Sequence, residues 1–180
     1  EKDHEVILDQ VYNAIKEHEP QILIIAGDLY DQPSPPQTAV KMFSAFIKRV
    51  REGSDTAVVI IAGNHDSGDR IDAMSIFGDD EHSLVRGTLL AEERVLCMQD
   101  EHGQVAITAL PYGHKYKARL IYDDESISLP ADVMAKQVEA ARSVVPKDAR
   151  WVIVAHAFVA GTQQSQSERQ LEVGGLETVP

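Results

Sequence analysis

Three polar groups in this chain each follow an unbroken apolar run. Asp28 comes after Ile22-Leu-Ile-Ile-Ala-Gly27, Asn64-His65-Asp66 after Ala57-Val-Val-Ile-Ile-Ala-Gly63, and His156 after Trp151-Val-Ile-Val-Ala155. Carboxylate and amide oxygens suit hard cations and imidazole suits transition metals, so the mixed set suits Mn(II), Fe(II) or Zn(II). A carboxylate can also bridge two ions about 3.5–4 Å apart, a geometry used for in-line displacement at phosphorus. Singly, each residue has a plainer explanation: an Asp after a strand caps a helix or forms a turn, and a strand-end His is satisfied within a core. The expectation rests on all three reaching one edge of one sheet.

The elements that must bring them there are legible from periodicity. The run from Ala57 to Ala62 reads as a strand buried on both faces, and Gly63 frees the backbone to turn sharply beyond it. The run ending at Gly27 repeats that design. Between the two, Pro33-Ser-Pro-Pro36 forces a turn, and residues 37–51 carry Val40, Phe43, Phe46, Ile47 and Val50 at helical spacing. Strand, helix, strand is the connection of a parallel βαβ unit, which puts both carboxyl ends on the edge where open α/β sheets bind ligands. If the strands are neighbours, about 4.8 Å apart, Asp28 and Asn64 can reach one ion.

Further along, residues 3–18 fit an amphipathic helix with Ile7, Leu8, Val11 and Ile15 on one stripe, leaving His4 and His18 solvated. A short helix within 67–78 would carry Ile71, Met74, Ile76 and Phe77. Residues 84–90, 94–98 and 105–110 read as strands, the last two joined by a turn at 100–103. Pro111-Tyr-Gly-His114 borders the site, with His114 a loop residue, and residues 132–145 form another helix. The polar stretch 162–170 reads as a loop near the site.

Composition bounds the function. The chain of 180 residues, 43% hydrophobic and 26% charged, suits one domain with a real core. Seventeen basic residues against 29 acidic ones give a net charge of −12, which opposes nucleic-acid binding unless cations, a local basic patch or a partner offset it. The single Cys97 excludes an internal disulfide and a cysteine-rich zinc site, and its place in a strand predicts an inert core thiol. With no apolar run near the roughly 18 residues of a membrane span, and no signal peptide visible, the expected location is the cytoplasm, without membrane contact.

Gly27-Asp-Leu-Tyr-Asp31 and Gly63-Asn-His-Asp66 resemble the GDxxD and GNHD motifs of the calcineurin-like metallophosphoesterases. The likeness extends to Ala26–Pro36, Ala62–Ser67, His156–Gly161 and Ser167–Gly175, where it is closest to the branch of bacterial nuclease subunits. It implies an α/β fold, an αββα sandwich of mixed sheets flanked by helices. It also implies two divalent cations, Mn(II) foremost with Mg, Fe or Zn as alternatives, and phosphodiester hydrolysis on DNA in repair and recombination. The implied partners are an SMC/ABC-type ATPase and, in the intact protein, a second copy in a homodimer.

Carried over residue by residue, the resemblance makes Asp28 the bridging carboxylate, with Asn64 and His156 ligands to one ion. His65 protonates the leaving oxygen or stabilises developing charge, and Asp31 hydrogen-bonds His65 to orient it. The family also opens with Asp-x-His on its first strand and closes with Gly-His-x-His. Glu1 lies downstream of the first and Pro180 upstream of the last, so residues 1–180 are expected to be a partial domain holding about half a site and binding metal weakly. Two other functions stay open: cleavage of small phosphodiesters or phosphomonoesters, and a non-catalytic phosphoesterase scaffold for docking.

Overall fold

Alternation along the central strand explains the layering. The computed structural model describes residues 2–77, 81–160 and 179. In it, β2 (Ala57–Ile61) is buried along its whole length. Val58 and Ile60 point into one apolar cluster with Phe43, Phe46 and Val50, while Ala57, Val59 and Ile61 point into another with Leu84, Leu96, Ile107 and Val154. A strand with period-two side chains that buries both sets must lie between two layers.

On either side of β2, β1 (Ile22–Ala26) and β3 (Ser83–Arg86) pair with it in parallel register, Ala26 opposite Ile61 and Ile61 opposite Arg86. The second sheet has the order β4 (Val95–Asp100), β5 (Gly103–Leu110), β6 (Arg150–Ala155), with β4 antiparallel and β6 parallel to β5. Helices α1 (Lys2–His18) and α2 (Gln37–Gly53) cover the outer face of the first sheet. Across the molecule, α4 (Lys115–Tyr122) and α5 (Pro130–Val144) pack through Ala118, Ile127 and Val133, and α5 lies against β5. This is the expected sandwich of two sheets between helices.

Several local expectations are corrected. Of the three strands that lead into the polar groups, only β2 is fully buried, since Ile24 of β1 and Val152 and Ile153 of β6 are exposed. On α1 only Ile15 is buried, and Ile7 lies mostly in solvent. Cys97 is exposed: on edge strand β4 the neighbouring Leu96 takes the inward position, so the thiol faces out rather than into the core. The short helix predicted over 67–78 divides into α3 (Gly68–Ala73) and a 3-10 turn (Met74–Phe77), with Ile71 buried and Ile76 exposed. The strand predicted from 84 to 90 ends at Arg86. Residues 162–170 lie outside the described residues. Among the described residues no helix is long and apolar enough to cross a membrane.

Buried polar groups tie the sheet's end to the loops beyond it. The Arg86 guanidinium, 2% exposed, forms a two-pronged pair with Glu93 and donates to the Thr88 carbonyl at 3.0 Å. Asp72 of α3 accepts from the Gly87 N–H at 2.5 Å and the Thr88 hydroxyl at 2.6 Å, pinning the helix that follows the Asn64-His65 turn onto the end of β3.

Candidate metal centre

The three polar groups meet at one edge of the molecule. Because β1 and β2 are parallel neighbours, Gly27-Asp28 and Gly63-Asn64 leave the sheet side by side. The turn after β1 is left-handed at both Gly27 (φ 95°) and Asp28 (φ 48°), a conformation that glycine adopts freely and aspartate tolerates. A methyl group on Gly27 would collide with the His156 ring, and one on Gly63 with the carboxylate and backbone of Asp28. The two glycines are therefore what lets the strand ends and His156 come together.

Asp28 accepts a hydrogen bond from the His65 backbone N–H at 3.0 Å, and its Oδ1 stands 3.7 Å from His156 Nε2. His156 Nε2 lies 3.1 Å from Asn64 Oδ1, while its Nδ1 lies 2.9 Å from the Ala26 carbonyl oxygen. That carbonyl can only accept, so Nδ1 carries a proton. In the neutral ring Nε2 then presents a lone pair to the oxygens of Asn64 and Asp28. Three electron-rich atoms so placed repel one another unless a proton on Nε2, an Asn64 amide turned to present its N–H, or a cation among them relieves the conflict. Ligands each about 2.1 Å from one ion at right angles stand about 3 Å apart, close to the His156–Asn64 separation. One imidazole nitrogen, one amide oxygen and one carboxylate oxygen thus fit a divalent cation of borderline softness. Among the described residues no three His, Cys, Asp or Glu side chains form a metal-holding group, so the convergence depends on the amide of Asn64.

His65 sits deeper, 7% exposed, with Nδ1 3.8 Å from Asp31 Oδ1. That separation is a charge-pair distance, longer than a hydrogen bond. Asp31 itself is 98% exposed at the rim of a groove of about 780 Å3 running between α1, β1 and α2. The other four predicted site residues do not line that groove.

Asp66, Tyr30 and Tyr112 complete the arrangement. Asp66 accepts from the backbone N–H groups of Leu29 (3.0 Å), Tyr30 (2.9 Å) and Gly63 (2.9 Å), which clamps the turn after β1 to the turn after β2. Burial and the nearby Asp66 charge, partly offset by Arg70, push the Tyr30 phenol up, so it stays neutral, packed edge-on against Phe43 at 6.3 Å. Tyr112 meets the His156 ring edge-on at 6.5 Å and donates its backbone N–H to Ala62 at 2.9 Å, as its place beside the site led one to expect. The final Asp of the Gly-Asn-His-Asp run was the available signal for Asp66, but two of its three partners, Leu29 and Tyr30, are 37 and 36 residues away in sequence.

The family described as calcineurin-like phosphoesterase matches residues 3–161. The chain belongs to that family. Calcineurin-like phosphoesterases are hydrolases that use divalent metals, in keeping with the donor set at the strand ends. Among curated proteins, the chain is similar to the SbcD component of the nuclease SbcCD from Staphylococcus saprophyticus, 26% identical over 178 residues. That alignment covers 99% of this chain and 46% of the relative, so the chain spans about half the length of the curated relative it matches. The resemblance to the SbcD-like branch rests on this likeness together with the family match.

Proposed function

We propose that the protein of which this chain forms part is a metal-dependent phosphodiester hydrolase acting on DNA, an SbcD-like exonuclease and endonuclease subunit in repair and recombination. The observation that carries the reading is the convergence of Asp28, Asn64 and His156 at 3.1 to 3.7 Å on the edge where three strands end. In this reading these three hold divalent cations, two in the complete site and Mn(II) foremost. When bound, the cations supply Lewis-acid activation of water and neutralise charge on the phosphodiester.

The chain's own residues do the rest. Asp28, fixed by the His65 N–H, presents its carboxylate at the strand edge. The Ala26 carbonyl holds the His156 ring with Nε2 facing inward. His65 presents Nδ1 toward Asp31 and has Nε2 left to hold the proton needed by the leaving oxygen. Asp31 stands on the Nδ1 side of the ring, 3.8 Å away, where it can orient the imidazole. An SbcC-like SMC/ABC-type ATPase and a second copy of the subunit belong to the same reading, as does a cytoplasmic location.

The test uses the full-length protein with Mn(II). His65→Gln should abolish cleavage of linear duplex DNA and of bis(4-nitrophenyl) phosphate while Mn(II) still binds. Retained cleavage would remove His65 from its role. The net charge of −12 favours a second reading, a small-substrate phosphodiesterase. Hydrolysis of the nitrophenyl ester with no cleavage of DNA, even beside the ATPase, would select it.

A further inference from the structure

An acidic nuclease needs a local surface where polyanion repulsion is reversed, and one segment has that character. From Gly103 to Tyr122 the chain holds no Asp or Glu, and within it His114-Lys-Tyr-Lys-Ala-Arg119 places three cations and two rings in six residues. This segment forms α4, missed by periodicity because it is short and buries only Ala118 fully. Tyr116 is 62% exposed and Leu120, one turn on, 82%. Lys117 is exposed between them. The rings of His114 and Tyr116 pack at 5.1 Å with a 33° tilt, and Arg119 lies 5.7 Å over the Tyr116 ring while donating to the Ile127 carbonyl at 2.7 Å. The tyrosine is thus held in place, with most of its surface open.

The position of α4 matters as much as its composition. Its leading loop is fastened to the end of β2 by the Tyr112 N–H on Ala62, and the Tyr112 ring lies against His156. Tyr112 and Tyr116 are four chain steps apart, at most about 14 Å, the rise of roughly four base pairs along a duplex axis.

We infer that the outer face of α4, built from Tyr116, Lys117 and Leu120, is a landing surface for a nucleic-acid strand whose scissile phosphate lies at the strand-end site. Lys117 meets the phosphate backbone, and Tyr116 and Leu120 offer flat and apolar surface to unstacked bases. This inference rests on the phosphodiesterase reading above and adds where the polymer runs. Rings and cations together favour a nucleic acid over an acidic protein, which would need the cations alone.

The experiment compares full-length protein, Tyr116→Ala/Lys117→Glu and, as a control making the same charge change on the distant α2, Lys48→Glu. Binding of a fluorescein-labelled oligothymidylate is followed by anisotropy across a salt series, and hydrolysis of bis(4-nitrophenyl) phosphate is measured in Mn(II). The expected result is DNA affinity weakened about tenfold or more in the double variant, with the salt dependence shallower by about one contact. Lys48→Glu and the small-ester rate should stay within about twofold of the parent. DNA binding unchanged in the double variant, or weakened equally by Lys48→Glu, overturns the inference. Unchanged DNA binding with loss of the partner ATPase would assign the face to a protein instead. A parent protein that hydrolyses no phosphodiester indicts the underlying reading, whereas normal small-ester hydrolysis with unaltered DNA binding indicts the α4 surface alone.

Discussion

Removing the Asp66 carboxylate should loosen the site without touching any residue assigned to metal or proton transfer. Its two oxygens accept from three backbone N–H groups, two in the turn after β1 and one in the turn after β2, at 2.9 to 3.0 Å. A hydrogen bond to a charged acceptor contributes about 1.5–3 kcal/mol net, so three would sum to about 4.5–9 kcal/mol if independent. They share one carboxylate and are only part-buried, and water can reach the vacated donors, so about 3–4 kcal/mol is expected for Asp66→Ala. Asp66→Asn keeps one acceptor oxygen, whereas its amide faces donors, and about half that loss should remain. Urea unfolding of parent and variants reads the stability, and Mn(II) titration of the full-length protein reads the registration of Asp28 with Asn64. Affinity should fall at least tenfold in Asp66→Ala and less in Asp66→Asn. A stability loss below about 1 kcal/mol, or Asn and Ala variants that behave alike, would refute the clamp.

The Arg86–Glu93 pair is nearly solvent-free on both sides, so Glu93→Ala leaves an uncompensated guanidinium and should cost about 3–5 kcal/mol. The double change Arg86→Met/Glu93→Leu should cost far less, and chemical denaturation of the two variants checks the difference. The Asp124 carboxyl is held down to about 2 by the Ser126 hydroxyl, the Lys136 ammonium and the Ser126 N–H. A carboxyl depressed on folding stabilises above its unfolded value, about 3.9, and that contribution is lost as pH falls toward 2. Lys136→Met should therefore lower the urea midpoint near pH 7 and converge with the parent near pH 2; a gap that persists in acid would contradict the assignment.

How much of this was legible in the sequence depended on range. Val58 to Ile61 alternate between two cores, and a run with no polar face can only be a central strand, so the sheet and the common edge followed directly. Gly27 and Gly63 marked the turns, and the structure shows what they make room for. Exposure of β1, α1 and Cys97 was not legible, because periodicity reveals which face is apolar and says nothing of whether another layer covers it. Residues 115–122 were missed because Lys, Tyr and Arg surround a single fully buried alanine. The clamp by Asp66 and the seating of His156 on Ala26 join residues 36 to 130 positions apart, which no local pattern encodes.

The central claim is that Asp28, Asn64 and His156 share a cation. Crystals of the full-length protein soaked in Mn(II), with data collected at the manganese absorption edge, test it most directly. An anomalous peak within bonding distance of the Asp28 carboxylate, Asn64 Oδ1 and His156 Nε2 is the predicted result. Manganese bound elsewhere, with no metal between His156 Nε2 and the oxygens of Asn64 and Asp28, would contradict it.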